Sequence, residues 1–361
     1  MIVKFSLAQL LPTLSVLGLL VALPLAAAPT QGVQVTPDEA GRRVDITIDG
    51  KPFTSYIWPQ SLKKPVLFPI LDSDGVTITR GWPLAPRPGE RTDHPHHDGL
   101  WFNYSNVNGF DFWNNSTAIP AARGPKMGTI VFDKIVSAKS GAKRGELVTQ
   151  STWITGAGDK IIADTTRYVF ARHGSARSPA RSIDLIVTLH ALDKVVFHDD
   201  KDGLLGLRVA RWLESPDEKG GTFTDANGVA TKVTAAASIP GVAPPTGEYL
   251  TSEGVMGEAA WGTRGRWCAL TGHDGSHADT IAIFDHPGNP NYPTYWHARG
   301  YGLFAVNPLG QHMFDPKKPP LDFTLDKGRS VTFRYRVVIY PRAATAEELN
   351  QQADAFAAET K

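Results

Sequence analysis

Cysteine is almost missing from this sequence. Cys268 is the one cysteine among 361 residues, so the chain has no pair for an internal disulfide and no set of thiolates for a metal. Its neighbours Trp267, Ala269 and Leu270 are apolar, which predicts a buried strand where the thiol behaves as a small hydrophobic group. Cysteine-based redox or metal chemistry is therefore excluded.

Charge of one sign is not in excess either. The formal net charge is +1 and the basic residues are scattered along the chain, so a nucleic-acid partner is not expected. The sequence also lacks a phosphate-binding glycine loop, a dinucleotide fingerprint and a Gly-x-Ser-x-Gly motif, which leaves nucleotide, nicotinamide and ordinary serine-hydrolase chemistry without support. Sugar or metal chemistry is what remains.

Long apolar runs are confined to the N-terminus. Lys4 precedes an apolar run over Leu7–Leu25, and Ala26–Ala28 close it with small residues, which is typical of a secretory signal peptide. We therefore expect residues 1–28 to be a signal peptide and the mature protein to be periplasmic or secreted. No later stretch approaches the roughly 18 consecutive apolar residues of a membrane-spanning helix, so no span is expected after cleavage.

Alternation of apolar and polar residues dominates the rest of the chain. Val44–Ile48, the turn dipeptide at Asp49 and Gly50, and Phe53–Trp58 predict a hairpin. The same pattern predicts further strands at Val66–Leu71, Val76–Thr79, Gly128–Val136, Leu147–Thr155, Ile161–Ala171, Ile183–Leu189, Leu204–Val209, Trp267–Leu270, Thr280–Phe284, Gly302–Val306 and Val331–Tyr340.

Helical periodicity is confined to the C-terminus. Thr345 and Glu348 have the spacing of a capping box, which predicts a helix over Glu347–Ala358. Many strands without intervening helices favour a large antiparallel two-sheet sandwich over a doubly wound α/β fold. The prediction is an all-β single domain over residues 29–361 with a short C-terminal helix, and with long loops at Arg172–Arg181 and Ala235–Gly247.

Three of the eleven histidines are neighbours in a polar and aromatic segment, Asp93–Trp113. Pro95 favours an extended backbone at His94, so His94 and His96 are expected to project to one face and His97 to the other. Two imidazoles at one site could ligate a divalent metal, transfer a proton or bind sugar hydroxyls. We assign His94 and His96 as candidate metal ligands, His96 as a candidate catalytic residue, and His94 and His97 as candidate substrate-binding residues.

The alternative interpretation of this segment is structural. The histidines would then stabilise a loop above a core that contains Trp101 and Phe102. Asp111 and Trp113 are two residues apart, so they are expected to share a face and are further candidates for substrate binding.

A second polar and aromatic segment spans Asp285–Tyr301 and carries several prolines. Proline removes conformational freedom in advance, so such a loop suits a rigid recognition surface. Aromatic faces stack on sugar rings while Arg, Asn and His bind hydroxyls and carboxylates. His297 is a candidate catalytic residue, and His286, Tyr295 and Arg299 are candidates for substrate binding; the alternative is that the aromatic residues only pack the loop.

A third set is smaller. Arg208 is a candidate for substrate binding and Glu253 for catalysis, because a carboxylate facing a histidine across a sugar would supply a base and an acid. The alternative is that Arg208 and Glu253 form a buried ion pair.

The motifs Asp93–Trp101, Asn108–Trp113 and Phe284–Gly300 closely resemble a bacterial family of uncharacterised proteins whose members are often labelled methane oxygenase PmoA. The resemblance covers nearly all of the mature chain. It implies a secreted, strand-rich protein of sugar-processing type, with a fold similar to the β-supersandwich of aldose mutarotases and polysaccharide lyases. The label itself would imply spanning helices, which the sequence does not predict, and a copper site on an N-terminal histidine, which the expected start near Ala26–Thr30 does not contain.

Three functions follow from these residues. The leading hypothesis is a carbohydrate-active enzyme of epimerase, lyase or hydrolase type, in which His96 and His297 act as acid and base or hold a divalent metal. The second is a non-catalytic module that binds a glycan or a metal. The third is the copper-dependent oxygenase that the family label suggests.

Overall fold

The computed structural model describes residues 1–4, 31–175, 178–216, 219–235, 242 and 244–359. Residues 5–28 of the predicted signal peptide lie outside the described residues, as does most of the loop predicted at Ala235–Gly247. The signal peptide therefore stays a prediction. Among the described residues, no helix is both long enough and apolar enough to cross a membrane.

Twenty strands are present in the described chain. In chain order they are β1 (Val33–Asp38), β2 (Arg43–Ile48), β3 (Lys51–Ile57), β4 (Val66–Ile70), β5 (Leu100–Tyr104), β6 (Thr129–Lys139), β7 (Arg144–Ile154), β8 (Lys160–Ser175), β9 (Ser178–Ala191), β10 (Val195–Phe197), β11 (Gly203–Arg208), β12 (Lys219–Thr224), β13 (Ala230–Ala235), β14 (Glu248–Thr251), β15 (Trp267–Asp274), β16 (His277–Asp285), β17 (Tyr295–Arg299), β18 (Leu303–Asn307), β19 (Phe323–Leu325) and β20 (Ser330–Tyr340).

Most of these strands form two large antiparallel sheets. The first sheet has the order β1-β2-β3-β4-β5-β11-β18-β17, and the second has the order β14-β15-β16-β20-β9-β8-β7-β6. Two further pairs, β10 with β19 and β12 with β13, stand apart from them. The prediction of an all-β fold with two large antiparallel sheets is confirmed.

The two sheets share one hydrophobic core because each presents an apolar face. In β2 the alternating residues Val44, Ile46 and Ile48 are buried, as the period of a strand requires. Aromatic rings meet across the interface: the centroids of Phe53 and Phe170 are 6.2 Å apart. A fully buried side chain of this size stabilises the fold by about 2 to 3 kcal/mol.

The helices are few and short. They are the 3-10 helices Ala121–Lys126, Arg211–Leu213 and Gly257–Ala260, the single turn α1 (Gln311–Phe314) and the helix α2 (Ala346–Ala357). At α2 the Thr345 side chain accepts from the backbone N–H of Glu348, and the Glu348 side chain accepts from that of Thr345. The predicted C-terminal helix and its capping box are therefore confirmed.

Some local predictions are wrong. The stretch Val76–Thr79 forms isolated bridges rather than a strand. Most of the loop predicted at Arg172–Arg181 is strand, because β8 continues to Ser175 and β9 begins at Ser178. The strand β5 was not predicted, since all five of its residues are buried and so show no alternation. Cys268 is buried in β15, as predicted.

Candidate functional site

A cavity of about 390 Å³ lies on the side of the first sheet that faces away from the shared core. Its walls come from both polar and aromatic segments of the sequence and from the loop before β11. The residues that line it are His94, His96, His97, Trp113, Asn114, Lys201, Asp202, His297, Arg299 and Tyr301.

Strand register explains why the cavity forms at this place. Gly206 of β11 is paired with Trp101 on one side and with Ala305 on the other, and Ala305 is paired with His297 of β17. These four residues therefore form one row across the sheet, on the same face. A Cβ at Gly206 would lie 2.4 Å from Trp101 and 2.9 Å from Trp113, so only glycine leaves room for both indoles beside His297.

The histidine loop, residues 93–98, is a turn and not an extended segment. His94 has φ of 46°, and the N–H of His97 donates to the carbonyl of His94 at 3.0 Å. The ring of His94 stacks on His97 with centroids 4.7 Å apart, and His96 meets His97 edge-on at 4.4 Å. The prediction that His97 projects away from His94 and His96 is therefore wrong: the turn brings all three rings together.

Buried cations fix the backbone of the histidine loop. Arg80 is 1% exposed, and its guanidinium donates to the carbonyls of Arg91, Asp93, His94 and His97 at 2.7–3.2 Å. Lys64 donates through Nζ to the carbonyl of His96 at 2.6 Å. Because the cations hold the carbonyls, the imidazoles are left free to face the cavity.

Asp93 connects Arg80, which holds the histidine loop, to Arg208. One carboxylate oxygen, Oδ1, lies 2.7 Å from Arg80 Nη1 and 2.6 Å from Arg208 Nη2. Burial opposes ionisation of Asp93, but the bond from His94 and the charges of Arg208 and Arg80 outweigh it and lower its pKa. Arg208 also lies 4.0 Å from Glu214. The alternative of an ion pair between Arg208 and Glu253 is therefore wrong, since the partners of Arg208 are Asp93 and Glu214.

Hydrogen bonds fix the tautomers of two histidines. Arg208 Nη1 lies 3.3 Å from Nδ1 of His97, and a guanidinium can only donate, so this Nδ1 accepts and Nε2 carries the hydrogen. Nδ1 of His297 lies 3.1 Å from the carbonyl of Lys201, which can only accept. His297 therefore carries its hydrogen on Nδ1, and its Nε2 keeps a lone pair.

Burial keeps these rings neutral at ordinary pH. Burial first, and then the charges of Lys64 and other neighbouring cations, lowers the pKa of His96 to about 2. Burial also lowers the pKa of His97 well below its usual range. For His297, burial lowers the pKa to about 4 against the opposing charge of Asp202. The cavity thus contains uncharged imidazoles, which can accept a proton without first losing one to solvent.

Aromatic stacking extends from the histidine loop to the opposite wall of the cavity. Tyr301 stacks on His94 with centroids 5.0 Å apart and ring planes 5° apart, and Trp101 stacks on His97 at 5.2 Å. Burial raises the pKa of Tyr301 to about 12, so its hydroxyl stays protonated.

Sequence reasoning did not select Lys201, Asp202, Asn114 or Tyr301 as site residues. Lys201 and Asp202 pair with each other at 2.7 Å at the start of β11, whose position between β5 and β18 the sequence does not reveal. The signal that could have marked them is the polar run 198–202 directly before a buried strand.

Some of the predicted site residues line the cavity, and others lie outside it. His94, His96, His97, Trp113, His297 and Arg299 line the cavity. Asp111 lies next to it, where its carboxylate accepts from the backbone N–H groups of Trp113 and Asn114. Tyr295 is buried against Phe314, with ring centroids 5.4 Å apart.

His286 and Glu253 are not among the residues that line the cavity. His286 donates through Nε2 to the carbonyl of Glu359 at 3.0 Å and accepts at Nδ1 from the N–H of Gly288, so both of its ring nitrogens anchor local structure. Glu253 is exposed and accepts from the hydroxyl of Ser252 at 3.0 Å.

The rings of His94 and His96, the predicted metal ligands, meet edge-on with centroids 5.7 Å apart, and a metal held by this pair stays a prediction. Lone pairs of imidazole nitrogens lie in the ring plane, so the parallel rings of His94 and His97 cannot both point at one ion. Within the described ranges, no group of three close donor atoms from His, Cys, Asp or Glu includes His94 or His96.

Comparisons with known proteins give a family and distant structural likenesses. The model of a family of unknown function, DUF6807, matches residues 43–354. This match supports the resemblance to an uncharacterised family, whose description does not carry the methane oxygenase label. No curated protein matches the chain.

Two solved structures illustrate the structural likeness. The Slr1438 protein from Synechocystis sp. PCC 6803 is 9% identical, with 89% of this chain and 100% of that chain covered and a TM-score of 0.30. A galactose mutarotase related enzyme from Lactobacillus acidophilus is 8% identical, with 85% and 97% covered and a TM-score of 0.29.

Proposed function

Because the chain belongs to the DUF6807 family, whose function is unknown, we propose its function from the cavity itself: an enzyme that moves a proton on a sugar that carries a carboxylate. The observation that carries this proposal is the Nε2 lone pair of His297, held on a buried and neutral imidazole that lines the cavity. Such a nitrogen is a general base that is ready at neutral pH.

Arg299 supports a ligand with a negative charge. It lines the cavity and is exposed, its guanidinium lies 5.8 Å from the ring centroids of Trp261 and Tyr301, and no ion pair to it is seen among the described residues. A planar guanidinium of this kind binds a carboxylate through two parallel hydrogen bonds. A uronic acid supplies that carboxylate together with hydroxyls for Asn114 and Lys201.

The carboxylate also makes the chemistry accessible. A C–H bond next to a carboxylate breaks when its proton moves to Nε2 of His297, and the electron pair moves into the carboxylate held by Arg299. The carbanion then takes a proton from water on its opposite face, which is epimerisation, or expels the oxygen on the next carbon, which is elimination. In the second case the proton that Nε2 of His297 took passes to the leaving oxygen.

The composition of the cavity favours this chemistry over glycoside hydrolysis. Hydrolysis uses two carboxyl groups that flank the bond, whereas Asp202 is the one carboxylate among the described residues that line the cavity. A copper oxygenase is also less favoured, because in the parts of the chain that the structure describes no group of three close donor atoms includes His94, His96 or His97. A non-catalytic glycan-binding module is the competing function that the same cavity would serve.

Deuterium exchange tests the proposal without knowledge of the product. The mature protein is incubated in D₂O with uronic acids and with oligosaccharides built from them, and proton NMR follows the ring C–H signal beside the carboxylate. We expect loss of that signal, or a new unsaturated product, for at least one substrate. His297→Asn keeps a donor for the Lys201 carbonyl and removes the base, so the rate is expected to fall by about 100-fold or more.

His273→Ala is the matched control, because His273 is exposed and outside the cavity; its exchange rate should equal that of the unmodified protein. Binding of a uronate without exchange or elimination would instead identify a non-catalytic module. Full exchange by His297→Asn would overturn the role of His297.

A further inference from the structure

A second group of ionisable side chains lies outside the cavity, where the turn after β4 meets the start of β16. Donor atoms of Asp72, Asp74 and His277 all lie within 4.8 Å of one another. Asp279 follows on the same face of β16. Two carboxylates and one imidazole therefore converge at this point, and the Asp279 carboxylate lies beside the imidazole.

The turn after β4 aims Asp72 at the group. Its Oδ1 accepts from the backbone N–H groups of Asp74 at 3.0 Å and Val76 at 2.7 Å, and Gly75 supplies the positive φ of 92° that closes the turn. The other oxygen, Oδ2, lies 3.0 Å from Nε2 of His277. This contact lacks the alignment of a hydrogen bond, and Oδ2 is buried without a hydrogen-bond partner among the described residues.

Asp279 gives the second and independent observation. It is 0% exposed, and its Oδ2 is hydrogen-bonded to the same Nε2 of His277 at 3.3 Å, so the carboxylate is aimed into the group. Its other oxygen, Oδ1, is buried and has no hydrogen-bond partner in the described part of the chain. A buried carboxylate oxygen without a partner is costly, which points to a positive ligand that completes the site.

Arg181, a protein cation near this group, does not fill that role. Arg181 is buried, but its Nη1 donates to the carbonyls of Pro52 at 2.7 Å and Leu71 at 3.3 Å. One guanidinium charge therefore lies near three carboxylates and is hydrogen-bonded to backbone. The group has an excess of negative charge and, through the exposed Asp74 and the partly exposed His277, a route from solvent.

We propose that Asp72, Asp74 and His277, with Asp279 supporting His277 from beside the group, bind a divalent cation of the Mn²⁺ or Zn²⁺ type. Carboxylates with one imidazole suit these ions, whereas Ca²⁺ and Mg²⁺ prefer oxygen ligands alone. The ligands come from the end of β4 in the first sheet and from β16 in the second, so the ion links the two sheets. Its role is structural, and the site is separate from the cavity with His297.

Metal titration of the folded protein tests this site. Protein dialysed against a chelator and then against buffer is titrated with MnCl₂, ZnCl₂ and CaCl₂ by calorimetry, and thermal unfolding is measured with and without each ion. We expect one equivalent of Mn²⁺ or Zn²⁺ and a higher unfolding temperature, because an ion that binds the folded state stabilises it. Saturating Mn²⁺ or Zn²⁺ with no stoichiometric binding would overturn the proposal.

Variants locate the ion. Asp279→Asn keeps the shape of the side chain, and affinity is expected to fall by at least about 10-fold. Asp45→Asn, which changes an exposed carboxylate elsewhere, and the double variant His94→Ala/His96→Ala should both keep one equivalent. Unchanged affinity in Asp279→Asn, or loss of the ion in the His94→Ala/His96→Ala variant, would contradict the assignment.

Discussion

At the scale of single residues, the state of His297 decides what the cavity can do. The Lys201 carbonyl requires a hydrogen on Nδ1, and burial lowers the pKa of the ring to about 4. A ring with the usual pKa would be partly protonated at slightly acidic pH and could not serve as a base there. The environment of His297 therefore extends its basic form down to low pH.

Ring NMR provides the test of this state. We expect the side-chain nitrogens of His297 to report the Nδ1–H tautomer at neutral pH and to titrate near pH 4, with the resonance assigned by its disappearance in His297→Asn. Titration near the ordinary value of about 6.5, or the Nε2–H tautomer, would show that the ring is not held as described.

The same lowered pKa has a consequence for folding. Between the ordinary pKa of about 6.5 and about 4, the unfolded chain binds a proton that folded His297 does not. The free energy of unfolding therefore loses about 1.4 kcal/mol per pH unit from this residue as the pH falls through that window. The His297→Asn variant should lack this contribution.

Sequence patterns selected residues that line the cavity more successfully than they selected the neighbours of those residues. Six of the predicted site residues, including His96, His297 and Arg299, line one cavity. Unusual clusters of histidine and aromatic residues are visible in a sequence without any structure. Lys201 and Asp202 were not visible in this way, because their meaning depends on strands β5, β11 and β18 being neighbours although they are far apart in the chain.

At the scale of elements, the histidine loop depends on Arg80 more than on its own sequence. Pro95 favours an extended backbone at His94, yet His94 has positive φ. Four carbonyls drawn to one buried guanidinium outweigh that local preference. An interaction of this kind, between Arg80 and a loop more than ten residues away, is not encoded in the local pattern.

Replacement of Arg80 tests that dependence. Arg80→Met should lower the free energy of unfolding by about 3 kcal/mol or more, because it leaves carbonyls unpaired and removes a partner of Asp93. Arg43→Met is the matched control: the Arg43 and Asp45 side chains are 47% and 41% exposed, so a cost of at most about 1 kcal/mol is expected. Equal costs in chemical denaturation would contradict the scaffold role of Arg80.

The strands show where local patterns succeed. β2 alternates and is joined to β3 by Asp49 and Gly50, both with positive φ, so periodicity and turn chemistry agree for this hairpin. β5 is buried on both faces and gave no such signal. The Gly, Ser and Pro residues near the tip of the β8–β9 hairpin favour a loop. The two strands nevertheless pair as far as Ser175 and Ser178, because the pairing continues from the long regular part of the hairpin.

At the scale of the whole molecule, the arrangement depends on the contact between the two sheets. Phe102 of β5 and Phe333 of β20 belong to different sheets, and their ring centroids are 5.8 Å apart. Phe356 of α2 belongs to a separate apolar cluster on the second sheet. The pair Phe102 and Phe333 therefore reports on contact between the sheets, while Phe102 and Phe356 provide a comparison without contact.

A double-mutant cycle measures that contact in solution. Phe102→Leu and Phe333→Leu should each destabilise the protein, and the double variant should cost less than the sum by about 0.5 to 1.5 kcal/mol, because the second substitution no longer removes an aromatic pair. Phe102→Leu with Phe356→Leu should be additive within about 0.5 kcal/mol. Strict additivity in the first pair would mean that the two sheets do not pack through these rings.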